Sequence, residues 1–359
     1  MKSFLLVASL AVLFYSCQNS SQNNTVSSET IQKNQFKKID IHAHYRYPRP
    51  QLSALMKEWK MQALLVDVAI AEENEIRRSW DKYVRHAKKN PDLFYLCTAF
   101  LGDGIDDKDY ADRIISQLRK EIQEGARMVK VWKNFGMVTK DESGSFIQID
   151  DQRLQPIWDF LVQAKIPVMA HIAEPKEAWL PLNPNGTHYG YYKNHPQYHA
   201  YNFPEMPTYE TIIEARDRWI ANNPNLQIMC AHLGSMSHDV SMVAKRLDQF
   251  PNIVVEMGAR FRDLARQDSK TVQAFFEKYQ DRILFGSDYQ NYADVNEMSK
   301  EELASEASRL KHNYEMLWNY LSSSDSLMIE KYHTKGIGLS EKTLKKVFYD
   351  NAKRLLQLD

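Results

Sequence analysis

The sequence predicts an α/β fold: a TIM (β/α)8 barrel with a long loop after strand 5 and a helical insertion after strand 8. Three observations carry this expectation. Short apolar runs alternate with helical patterns along most of the chain, the signature of repeated βα units. Eight such runs occur, each continuous enough to be a strand covered on its outer side by a helix. Several of them end in histidine or aspartate: His42 and His44, then His171, His232 and Asp288. Barrel sites form at the C-terminal ends of strands, and all five residues fall at such ends.

Taken in order, strands are expected near 37–42, 62–69, 94–99, 127–132, 166–171, 226–231, 252–258 and 282–286. Helices are expected between them near 72–89, 109–124, 151–165, 208–222, 237–249 and 269–279. The first strand, Ile39-Asp40-Ile41, leads into His42-Ala43-His44. Alternation on a strand turns His42 and His44 the same way and Ala43 the other. Two imidazoles about 6–7 Å apart along a strand can converge on one ion between their tips. Imidazole and carboxylate groups at successive strand ends are what a barrel needs to hold a divalent metal over its mouth. A single histidine on an apolar strand is more often a satisfied core residue; five ordered donors point to a metal-dependent enzyme.

Two stretches exceed ordinary connections. Residues 173–208 carry Trp179, His188, Tyr189, Tyr191, Tyr192, His195, Tyr198, His199, Tyr201 and Phe203. A long aromatic loop on the catalytic face reads as a lid or substrate wall. The other reading is a loop that packs its own aromatics or docks a second copy, which would make the chain a homo-oligomer. The second stretch, 289–339, holds a long helix from Lys300 to Leu321 with Leu303, Ala307, Leu310, Tyr314, Leu317 and Leu321 on its apolar side. A final helix from Ser340 to Leu356 is expected to close the bottom or side of the barrel.

Composition bounds the partners. At 359 residues the chain can bury a full core, and Lys plus Arg equal Asp plus Glu at 46 each. Nothing in that balance favours nucleic acid. Lys2, the apolar run from Phe4 to Phe14 and the break at Ser16-Cys17 read as a secretory signal over 1–17. The run is shorter than the ~20 residues a spanning helix needs. With cysteine at the break it is similar to a bacterial lipoprotein signal, Cys17 becoming the acylated N-terminus; the alternative is an ordinary cleaved signal with an incidental cysteine. Residues 18–36, rich in Ser, Asn, Gln and Thr, read as a disordered tether, and 37–359 as the barrel domain. The expected address is the cell envelope or periplasm, on a membrane through a lipid anchor only. Cys97 and Cys230, on the third and sixth strands, are expected to be free, buried thiols.

The motifs Asp40-Ile41-His42-Ala43-His44, the strand-end His171, Ala231-His232-Leu233-Gly234, Phe285-Gly286-Ser287-Asp288 and Asp350-Asn351-Ala352-Lys353-Arg354-Leu355-Leu356 resemble the amidohydrolase superfamily. Within it they resemble the amidohydrolase-related branch that includes the aminocarboxymuconate semialdehyde decarboxylase type. The resemblance spans about residue 38 to the end and implies a metal, usually zinc, on His42, His44, His171 and Asp288, with His232 beside it handling protons or polarising substrate. The branch holds hydrolases, lactonases and non-oxidative decarboxylases.

The chemistry follows from the donors themselves. Three imidazoles and a carboxylate leave one position open on the ion, lower the pKa of bound water and polarise a carbonyl. Asp288 is the candidate to move a proton, and His232 to stabilise an oxyanion. Lys130 lies in the fourth strand, where lysine is seldom buried without a role. In binuclear relatives a lysine there is carboxylated and bridges two metals, so one ion is the expectation and two, with Lys130, the alternative. Lys133 is expected to be solvated. Arg46, Arg260 and Arg262 stand where a guanidinium fork would hold a carboxylate-bearing small molecule, or pair with a rim acid. Glu256 either orients a ligand or faces a helix. The main functional expectation is a hydrolase of an amide, ester or lactone. The alternatives are a non-oxidative decarboxylase and a non-catalytic binding lipoprotein.

Overall fold

The computed structural model describes residues 31–359 apart from 69, 73, 74, 292, 330 and 331; the leader, Cys17 and the tether up to residue 30 lie outside the described residues. Parallel strands pair in sequence order: β1 (Lys38–His44), β2 (Met61–Val66), β3 (Phe94–Ala99), β4 (Ala126–Val131), β5 (Val168–Ala170), β6 (Ile228–Cys230), β7 (Ile253–Glu256) and β8 (Ile283–Leu284). A short β9 (Tyr289–Gln290) pairs with β1. The sheet therefore closes at a seam between its last and first strands. β8 sets Ile283 opposite Val255. The chain then steps sideways: Ile41 N donates to Phe285 O at 3.0 Å, and Asp288 N to His42 O at 2.7 Å. β8 and β9 are one barrel strand broken by a jog in which Asp288 adopts φ 55°. A Cβ on Gly286 would lie 2.5 Å from Glu256 Oε2 and 2.9 Å from His42 Cβ, so the jog passes this close only as glycine.

Period-two alternation builds the interior. Ile39, Ile41, Leu64, Val66, Cys97, Met128, Met169, Met229 and Leu284 form an inner cluster, with Ala352, Leu355 and Leu356 plugging the N-terminal end. Their neighbours Ala63, Leu65, Val129, Val131, Ile228, Cys230 and Val255 point outward to the helices. Two residues beyond the inner set, the same alternation carries Lys130, His171 and Glu256 toward the C-terminal mouth. β1 departs from strict alternation. Its register with β2 shifts between Asp40 and Ala43, a bulge that reverses the phase. Ala43 and Tyr45 join the outer core, and both histidines turn inward.

The outer layer is α1 (Pro50–Glu58), α2 (Trp80–Lys89), α3 (Tyr110–Gln123), α4 (Gln155–Ala164), α5 (Tyr209–Asn222), α6 (Val240–Gln249) and α7 (Ser269–Lys278). α1 lies where the sequence pattern singles out no helix. The helix expected over 72–89 starts only at Trp80, because Ile70–Glu72 and Glu75–Arg77 pair as a hairpin. Arg78 fixes that boundary: it reaches Glu121 at 2.9 Å, Thr98 at 3.0 Å and Asp67 at 3.0 Å. Asp67 also accepts from Ser79 N at 2.8 Å, so tertiary contacts override local helix propensity.

The insertion is α8 (Lys300–Ser322), opened by a capping box between Ser299 and Glu302, followed by a hairpin of Ser326–Ile329 and Tyr332–Lys335. The last helical segment runs Glu341–Lys345, a π-turn Lys346–Asp350, then Asn351–Leu355, and it closes the bottom. Residues 31–36 fold with the barrel: Phe36 packs on Trp318, ring centroids 6.0 Å apart, and Lys33 pairs with Glu58 at 2.9 Å. Cys97 and Cys230 are buried and free. No helix among the described residues is long and apolar enough to cross a membrane.

Candidate active site

His42, His44 and Asp288 converge at the C-terminal mouth. His42 Nε2 lies 3.3 Å from His44 Nε2, and Asp288 Oδ1 lies 3.4 Å and 3.3 Å from the two. The tautomers are set from behind. His42 Nδ1 is 2.9 Å from Glu256 Oε1, and His44 Nδ1 is 2.7 Å from Val66 O. A proton on each Nδ1 satisfies these acceptors and leaves each Nε2 lone pair facing the cluster. His232 follows the same plan, its Nδ1 2.8 Å from Gly258 O and its Nε2 4.0 Å from Asp288 Oδ2. His171 packs edge-on against His232 with centroids 4.3 Å apart. Its Nε2 is buried and has no hydrogen-bond partner among the described residues.

These features fit a divalent ion. Burial favours the neutral form, the one a ligand needs, at three of these histidines: His44 is pushed down to about 4, His232 to about 3, and His171 well below its ordinary value. Burial alone would raise Asp288, but His42, His232 and His44 outweigh it and hold the carboxyl well below its usual range. The donor atoms of His42, His44 and Asp288 converge as a set that suits a cation, while His171, its buried Nε2 without a partner among the described residues, stands against His232 outside that trio. His42, His232 and Glu256 also lie close together, but their contacts account for Glu256 without an ion. Its oxygens accept from His42 Nδ1, from His232 N at 2.7 Å and from Gly258 N at 2.5 Å. Burial would raise Glu256; His42 and His232 pull it down to about 2.

His232 reaches this place through unusual backbone. His232, Leu233, Gly234 and Ser235 take φ of 57°, 55°, 63° and 60° in succession, a left-handed turn with only one glycine. Non-glycine residues there cost about 1–3 kcal/mol each and persist only when the surroundings over-determine them. The surroundings here are Glu256 on His232 N, Arg216 Nη1 on Gly234 O at 2.5 Å, Tyr209 OH on Ser235 O at 2.8 Å, and Ser235 Oγ on Ile172 O at 2.8 Å.

Above the donors is a cavity of about 610 Å³ lined by His44, Arg46, Lys130, Trp132, Lys133, His171, Glu174, Tyr191, Tyr198, His232, Arg260 and Asp288, among others. Lys130 Nζ lies 2.8 Å from His42 Nε2, inside the cluster, and burial lowers its pKa. Arg46 and Arg260 both line the cavity, each with a buried Nε that has no partner among the described residues; Arg262 lines it too.

Lys133 corrects the expectation of a solvated side chain. It is buried in an ion pair with Glu174 and sits 3.8 Å over the Tyr198 ring. The chain leaves β4 at Trp132, and Lys133 takes φ −58°, ψ 10°, so strand alternation no longer sets its direction. Glu174, which also accepts from Tyr192 OH at 3.1 Å, is a site residue the sequence reading passed over, with no signal beyond its place after β5. The aromatic loop both lines the cavity and packs on itself. Tyr191, His195 and Tyr198 wall the cavity, while Tyr192, His199 and Tyr201 stack on one another.

A closed βα-barrel with imidazole and carboxylate donors gathered at its C-terminal mouth defines a class of metal-assisted barrel enzymes. The chain belongs to the amidohydrolase family, whose profile it matches over residues 39–358. No curated protein matches it by sequence. Among solved structures it is similar to an uncharacterized TIM-barrel protein from Bordetella bronchiseptica (16% identity, TM-score 0.56, 90% of this chain and 99% of that one). It is also similar to 2,6-dihydroxybenzoate decarboxylase from Rhizobium (16%, TM-score 0.52, 89% and 98%). A third is a dihydroxybenzoic acid decarboxylase from Polaromonas with bound manganese and the inhibitor 2-nitroresorcinol (16%, TM-score 0.51, 89% and 97%). At these identities the likeness establishes the fold alone.

Proposed function

We propose that the protein is a metal-dependent, non-oxidative decarboxylase of a small unsaturated or aromatic acid, with hydrolysis of an amide, ester or lactone as the second reading. The observation that carries the proposal is the cavity itself: an aromatic wall of Trp132, Tyr191 and Tyr198 and unpaired guanidinium nitrogens of Arg46 and Arg260, set directly over the donor cluster. The decarboxylases among the structural relatives support the same choice.

His42, His44, His171 and Asp288 would hold one divalent ion, zinc or manganese, with a second on Lys130 and His232 as the alternative. When bound, the ion supplies Lewis acidity to a substrate oxygen. The chain's own groups do the rest. Arg46 and Arg260 grip an anionic oxygen that persists through the reaction, since a guanidinium on the departing carboxylate would favour the ground state. The departing carboxylate fits against the aromatic wall, where little opposes loss of its charge. Its bond to carbon breaks, the electron pair stays on carbon, and carbon dioxide leaves. A proton drawn from solvent and relayed by Asp288 and His232 then takes the place of the lost carboxyl on that carbon. The hydrolytic reading draws on the same pair, with Asp288 anionic and placed to take a proton from water.

Incubating the metal-loaded protein in ¹⁸O-labelled water with hydroxybenzoic and unsaturated carboxylic acids, and in parallel with amides, esters and lactones, is expected to release carbon dioxide from the acids with no label in the organic product and to leave the other compounds intact. Label in a new product carboxylate, without carbon dioxide, would establish the hydrolase instead.

We further propose that the mature chain starts at a lipidated Cys17 and is held at a membrane in the cell envelope. The support is the apolar run ending at Ser16-Cys17 and the polar tether behind it. Cys17→Ala is expected to move the protein from the detergent phase to the aqueous phase on partitioning. Retention in the detergent phase would refute the anchor.

A further inference from the structure

We propose that Asp40 is a positioning residue for the metal donors, and that Tyr314 makes the insertion helix α8 part of the same device. Asp40 is fully buried on the outward side of β1, a place where an apolar residue would cost less. Its carboxylate instead bridges the barrel seam. Oδ1 accepts from His42 N at 3.2 Å and from Ser287 N at 2.9 Å. Oδ2 accepts from Ser287 Oγ at 2.6 Å and from Tyr314 OH at 2.8 Å. Tyr45 OH approaches the same oxygen at 3.5 Å and bonds to the Tyr314 hydroxyl.

One side chain thus fixes the backbone at His42 and at the residue before Asp288, the two strands that carry the three converging donors. That hold has a purpose at Asp288, whose left-handed φ of 55° needs external restraint. Tyr314 brings α8 into the arrangement. Its ring packs between Trp59 and Phe285, with centroids at 5.6 Å and 6.0 Å, and its hydroxyl is delivered to Asp40 rather than to solvent. The insertion therefore does more than cover the barrel: it supplies a donor to the carboxylate that keeps the site in register.

This inference rests on the metal reading of the site, and metal titration into metal-stripped protein, with Zn²⁺ and with Mn²⁺, tests the two separately. Partners one shell removed from a metal are worth about 10–100-fold in affinity. Asp40→Asn is expected to fall in that range, and Tyr314→Phe near its lower end, about tenfold. Tyr314→Phe is the decisive variant because it removes one hydroxyl and keeps the ring, so the metal-free protein should stay folded, its melting temperature lowered only by the loss of the hydroxyl's bonds. Tyr320→Phe is the control: it lies on the same helix, and its buried hydroxyl has no partner among the described residues, so its affinity should equal that of wild type. Unchanged affinity in Tyr314→Phe overturns the proposal. An equal loss in Tyr320→Phe also overturns it, by assigning the effect to helix packing. Wild-type protein that takes up neither ion overturns the metal reading, and the proposal with it.

Discussion

Replacing His42 or His44 by alanine is expected to strip the protein of divalent metal and of turnover together. Each contributes an inward Nε2, and the two lie 3.3 Å apart with Asp288 Oδ1 within 3.4 Å of both. Losing either nitrogen leaves too few donors to grip an ion against water. The two variants should differ in stability. His42 Nδ1 is bound to Glu256, fully buried. His42→Ala therefore leaves an anion short of a partner, at a cost on the order of 3 kcal/mol. His44 Nδ1 faces only the Val66 carbonyl, a neutral acceptor, so His44→Ala should lose about 1–3 kcal/mol. Metal analysis after dialysis, with melting curves alongside, reads both effects. Full occupancy in either variant would remove that histidine from the ligand set.

His232→Ala is expected to separate turnover from metal. The imidazole sits beside the cluster rather than within it, 4.0 Å from Asp288 Oδ2, with its Nδ1 committed to Gly258 O. Burial holds it neutral, so its Nε2 meets substrate as a proton acceptor, and as a donor once a proton has arrived. A single group of this kind is worth about 10²–10³ in rate. With one ion in the site, that loss should come with one equivalent of metal retained. A fall from two equivalents to one would instead place a second ion on His232 and Lys130, whose Nζ already lies 2.8 Å from His42 Nε2.

Much of this was legible in the sequence wherever one periodicity governed. Eight apolar runs mark eight barrel strands. The residues that end them appear at the mouth because alternation carries Lys130 two steps beyond Met128 and His171 two steps beyond Met169. The illegible parts are those where partners override the local pattern. Nothing in Ala231-His232-Leu233-Gly234 indicates a left-handed turn, since Leu233 is an unfavourable residue for it; only the groups bonded around it make it stable. The direction of Glu256 needed its partners His42 and His232, 214 and 24 positions away. Lys133 escaped because the strand ends at Val131, two residues before it. Asp40 was visible as a neighbour of the histidines, but its bonds to Ser287 and Tyr314 join residues 247 and 274 positions away.

The jogged seam between β8 and β1 bears on how the molecule folds. Two donors lie on the first strand and one on the last, so the trio does not exist until the barrel has joined its ends. This closure is the loop with the greatest entropic cost in the fold and belongs to the slow, non-local class of contacts. Any ion gripped there acts as a clasp on that closure, because binding only the joined state shifts the equilibrium toward it. A chain stopped before Ser287 would keep both histidines and most of its strands, yet it would have nothing to fasten them to.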